Sequence, residues 1–96
     1  MEAADRKVLL RDLLQVRLTL EPGVVWAATS NGSPQAKARI HAAWQGKIAV
    51  LHEQSVTPEE QRQHFIIHDL EFHRACLAAV GSEILEQLFS VIEAAL

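Results

Sequence analysis

The sequence predicts an all-α protein, an antiparallel bundle of about four helices. Three observations carry that expectation. Ala, Leu, Glu and Gln are plentiful, while only three prolines and four glycines punctuate the chain. Apolar residues recur at three- and four-residue spacing in four successive stretches. Turn clusters and capping residues separate those stretches. Ninety-six residues make one small domain with room for a modest core.

The first helical pattern runs from about Lys7 to Ala28, with Leu9, Leu10, Leu13, Leu14, Val16, Leu20, Val24 and Val25 forming a broad apolar stripe. Pro22 and Gly23 should kink or interrupt it, because proline removes a backbone donor and crowds the preceding turn. One kinked helix and two shorter ones are both open. Thr29–Ser33 is a turn cluster. Ser33 and Pro34 then open a second helix to about Gln54, whose buried stripe would be Ile40, Trp44, Ile48 and Leu51, helped by Ala36 and Ala43. His41 and His52 fall towards its polar flank.

Thr57–Val80 organises the chain. Thr57 caps it, Pro58 suits the first turn, Glu59 and Glu60 complement its positive end, and Gly81 stops it. Phe65, Ile66, Leu70, Phe72, Cys76, Leu77, Ala79 and Val80 cover about half its circumference at 100° per residue. After Gly81, Ser82 caps a fourth helix with Ile84, Leu85, Leu88, Phe89, Ile92 and Leu96 on its apolar face. The sequence stops there at Ala-Ala-Leu, without a capping glycine, a basic last turn or a polar tail, so the 96 residues are expected to belong to a longer protein.

A formal net charge of −3 without a Lys/Arg cluster argues against nucleic-acid binding by this stretch alone. The single cysteine, Cys76, excludes an internal disulfide and fits a reducing cytoplasm. The opening MEAADRK leads into a charged amphipathic segment and does not read as a secretory signal. No apolar run approaches the roughly 18 residues of a membrane span.

Two ionisable residues break the apolar arc of the third helix at its centre. Asp69 and His73 are four residues apart and stand one turn above each other. Burying a carboxylate costs several kcal/mol unless something pairs with it. Carboxylate oxygen and imidazole nitrogen together suit Zn, Ni or Mn, though two ligands need at least one more. The alternative is a buried Asp–His hydrogen bond that ties the helix to a neighbour. His64 and His68 repeat the spacing, but lie away from the arc's centre and read as solvated or at an interface. On the first helix, Arg17 falls near the centre of the apolar stripe, with Glu21 one turn on; the plain reading is an i,i+4 ion pair. Nothing indicates an enzyme: there is no glycine-rich phosphate loop, no HExxH and no nucleophile elbow.

DLLQVRLTLEPGVVWAA (Asp12–Ala28) resembles the opening helix of the FCD domain, where an R-x-x-L-E-P motif is typical. HDLEFHRACLAAVGSEILEQL (His68–Leu88) resembles its D-x-x-F-H helix and the Gly-Asn turn that follows. Together the two segments and the intervening helix span nearly the whole chain. FCD domains are the C-terminal effector-binding halves of FadR-type regulators in the GntR family. The resemblance implies that Asp69 and His73 are metal ligands, that Arg17 meets an effector carboxylate, that Glu21 is structural, and that the protein is a homodimer. It implies a small organic acid as effector and DNA as a partner only through a winged helix-turn-helix absent from this chain. Ser82 stands where the family has asparagine. Two further histidine ligands of the family lie in helices beyond residue 96, and none of His41, His52, His64 and His68 takes their place, so this chain alone should hold metal weakly or not at all. The competing expectation is a helical interaction or dimerisation module with a structural Asp–His pair and no ligand.

Overall fold

A computed structural model of the chain, which describes residues 2–95, contains four helices. They are α1 (Ala3–Asn31), α2 (Pro34–Leu51), α3 (Pro58–Val80) and α4 (Glu83–Ala95). No strand occurs among the described residues, and no helix is long and apolar enough to cross a membrane.

Local chemistry accounts for the boundaries. The Ser33 hydroxyl accepts the Ala36 N–H and the Thr57 hydroxyl accepts the Glu60 N–H, each followed by a first-turn proline. Gly81 ends α3 at φ 72°, a left-handed conformation that costs glycine nothing, and its N–H bonds to the Leu77 carbonyl. Ser82 Oγ accepts the Leu85 N–H and starts α4. The choice at Pro22 resolves to one continuous helix of 29 residues. Pro22 denies the Leu18 carbonyl its donor, but both residues are exposed, so water can serve that carbonyl. α2 stops at Leu51, three residues short of the expected end, where the His52 and Glu53 N–H groups close it onto the Ala49 and Val50 carbonyls respectively.

α3 packs against all three other helices, whereas α2 and α4 do not touch among the described residues. Val24, Ala28, Ile40, Ala75, Cys76, Leu77 and Phe89 form the main core cluster, and Val50 and Ile92 are also buried. The assembly is a slab: its extents are 46 × 39 × 16 Å and its radius of gyration is 15.1 Å, against about 12–13 Å for a compact chain of this length. A slab one to two helices thick leaves apolar surface bare.

That shape corrects several expectations. On α1 only Val24 and Ala28 are buried among the described residues; Leu9, Leu14 and Val16 in the helix's first half are exposed, and Leu10 and Leu13 are half-buried. On α2 the buried stripe is Ile40, Ala43 and Val50; Trp44, Ile48 and Leu51 point outward. On α3 Ile66 is exposed, and Ala75, which the arc had omitted, is buried. On α4 Phe89 and Ile92 of the expected apolar face are buried, since α4 packs on α1 and α3, whereas Ile84 and Leu88 are exposed. Leu96, assigned to the same face, lies outside the described residues.

Ile92 is 0% exposed and Ile67 63%. Ile92→Ala should therefore lower the unfolding free energy by about 2–4 kcal/mol, while Ile67→Ala stays within about 0.5 kcal/mol of the parent in urea titrations.

Candidate functional site

Asp69 is the meeting point of three helices. Its Oδ1 lies 2.9 Å from Lys47 Nζ on α2 and 3.3 Å from His73 Nε2, one turn along α3. Its Oδ2 accepts a hydrogen bond from an Arg17 terminal nitrogen on α1 at 3.3 Å. Arg17 Nε in turn donates to Glu21 Oε1, which lies 3.4 Å from His73 Nε2. Arg17 and Glu21 on α1 thus meet Asp69 and His73 on α3; the sequence spacing suggests each pair, but not that the two pairs meet. The Arg17–Glu21 ion pair is present, and Arg17 also reaches across to α3.

Lys47 is the member that the sequence reading missed. Its side chain is 14% exposed, and its ammonium sits 4.7 Å from the Phe72 ring centroid and 5.5 Å from those of Trp44 and Phe65. A cation over aromatic faces is attracted by their negative quadrupole surface. Ile40, Ala43, Lys47 and Val50 follow one another at spacings of three, four and three, the pattern of a buried helix stripe. A lysine inside that stripe was the available signal. Gly46 faces α3: a Cβ there would meet the His68 ring at 2.5 Å, so the ring lies where a larger residue would force it aside. His68 therefore packs at the α2–α3 interface. His64 is half-buried, with Nδ1 2.8 Å from Glu53 Oε2.

Burial pushes the Asp69 carboxyl up. The hydrogen bond from Lys47 and the positive charge of His73, Lys47 and Arg17 outweigh it, and the group sits below the ordinary carboxylate value. Arg17 pairs with Glu21 and Asp69, and Lys47 with Asp69, so both carboxylates are paired without any ligand. Beside it, Arg17, Ile66, Leu70 and Glu93 line an open cavity of about 340 Å³.

Asp69 and His73 are donors of the type that Zn, Ni and Mn take. Their 3.3 Å separation matches the edge that two ligands about 2.0–2.1 Å from one tetrahedral ion span, so they fit as two members of a coordination shell. Among the described residues no group of three or more His, Cys, Asp and Glu could hold a metal ion.

Because the folded Asp69 carboxyl titrates below the unfolded one, the native state binds fewer protons there. Its contribution to stability is complete above about pH 4 and is lost as pH falls through the lowered value. Asp69→Asn should flatten the acid limb of stability against pH, measured by thermal unfolding from pH 7 to pH 2.

No curated protein and no solved structure matches the chain. A family model described as the FCD domain matches residues 12–96, which takes in Arg17 and Glu21, Lys47, and the Asp69–His73 pair. The chain belongs to the FCD domain family.

Proposed function

We propose that this chain is the effector-sensing domain of a GntR-type transcription regulator, controlling an attached winged helix-turn-helix, and that its ligand is a small carboxylate. FCD domains belong to transcription regulators rather than enzymes. The observation that carries the reading is Arg17, a guanidinium 22% exposed, held between Glu21 and Asp69 and lining a cavity with Ile66 and Leu70. Guanidinium takes carboxylate through two parallel hydrogen bonds, and an entering carboxylate does so by displacing one that is already there. Displacing Asp69 cuts a tie between α1 and α3, whereas displacing Glu21 only exchanges a partner within α1, so the first exchange is the one that alters how the helices are held. A ligand shifts the equilibrium by as much as it favours one arrangement over the other.

Asp69 and His73 would supply two ligands to a divalent cation in the complete domain, and the cation would offer the same anion a second positive contact. The protein is proposed to act in the cytoplasm as a homodimer. Ile84, Leu88 and Val91 are exposed at spacings of four and three along α4 and form one uncovered apolar stripe.

A panel of sugar acids and other small organic acids should contain members that raise the melting temperature of the chain, and Arg17→Leu should abolish the shift while the protein stays helical by circular dichroism. A panel with no stabilising member, or an equal response from the variant, counts against the reading. For the dimer, light scattering over a dilution series should show a species of twice 10.7 kDa that Val91→Glu converts to monomer.

A further inference from the structure

We propose that Lys47 is a resident cation standing in the place of the metal at Asp69, so that a divalent ion binds Asp69 and His73 only as the Lys47 ammonium leaves. The inference rests on the reading of those two residues as ligands and adds what governs their occupancy.

The ammonium and the ion need the same atom. Lys47 Nζ is 2.9 Å from Asp69 Oδ1, and that oxygen is the one 3.3 Å from His73 Nε2. An ion shared by Oδ1 and Nε2 sits about 2 Å from each, in the space which the ammonium already neutralises. The other oxygen, Oδ2, is held by Arg17, so the carboxylate has no unclaimed side to offer. Two cations within a few ångströms in a half-buried site repel each other far more than they do in water.

Lys47 is also built into this position. Phe72, Trp44 and Phe65 surround its head. The same rings give a displaced ammonium little reason to leave unaided, so metal affinity is set by the competition between Lys47 and the ion. An apolar side chain of similar length, as in Lys47→Met, keeps the ring contacts and vacates the oxygen.

The test is calorimetric titration of zinc into the 96-residue chain and three variants. The parent should bind zinc weakly or below detection, and Lys47→Met should bind it about tenfold tighter or better, a change of the size that neighbours of metal ligands exert; no detectable binding by Lys47→Met overturns the proposal. Lys47→Arg should stay weak, and Lys47→Met with Asp69→Asn should lose the gain. Equal, Asp69-dependent binding in the parent and Lys47→Met overturns the role of Lys47 but keeps the ligands. Binding that Asp69→Asn leaves unchanged in the Lys47→Met background overturns both readings. A measurement on the parent protein guards against a misfolded variant: acetic anhydride labelling read by mass spectrometry should modify Lys47 faster at saturating zinc. Unchanged labelling overturns the proposal.

Discussion

A carboxylate set into the apolar side of a helix has to be compensated, and the way Asp69 is compensated ties three helices together. One oxygen faces Arg17 on α1 and the other faces Lys47 on α2. Because each cation comes from a different helix, the pairings fix the register of both against α3, the helix that packs against all the others. Such pairs add little net stability once desolvation is counted, and their physical contribution is mainly to orientation. Removing one partner is another matter, since it leaves a charge uncompensated beside aromatic rings.

The apolar packing around this cluster is thin, which explains what was legible in the sequence and what was not. The caps of α2, α3 and α4 are local chemistry, and Ser33, Thr57, Gly81 and Ser82 behave as their residue types dictate. Phe89 and Ile92 were legible as the inner face of α4, although not that α1 and α3 would cover them. Burial on α1 and α2 depends on what lies opposite, which periodicity does not carry. On α2 Ile40 and Ala43 are buried as expected, but Trp44, Ile48 and Leu51 are exposed and Val50, left out of the expected stripe, is buried, so the true stripe is rotated from the expected one. The first half of α1 has an apolar stripe, yet Leu9, Leu14 and Val16 stay exposed in it.

Lys47 escapes the sequence reading for a different reason, since at 100° per residue it projects between Ile40 and Ala43, inside the expected stripe as well as the observed one. A charged residue on a helix is ordinarily scored as solvent-facing. Arg17, Asp69 and His73 are legible because each sits near the middle of an apolar arc, where a polar group demands a partner. Lys47 obeys the same rule on α2. The Asp–His alternative of a structural link between helices is also physically present, since Asp69 does join α3 to its neighbours. Structural and ligand-binding roles are therefore not exclusive here: the groups that hold the helices are those that a ligand would have to recruit.

That overlap has a consequence for how two ligands would act on one another. On the proposed reading, an anion at Arg17 competes with Asp69 Oδ2 for the guanidinium, and a divalent cation at Asp69 competes with the Lys47 ammonium. An anion that draws Arg17 away leaves Asp69 with less positive charge around it, which raises its affinity for a cation. By linkage the cation must raise the anion's affinity by the same factor. No direct contact between the two ligands is required, since the shared element is the carboxylate that each of them frees from a resident partner. The two exchanges loosen different ties, α1 to α3 in one case and α2 to α3 in the other. Anion and metal together thus release a helix pair that either alone leaves half held.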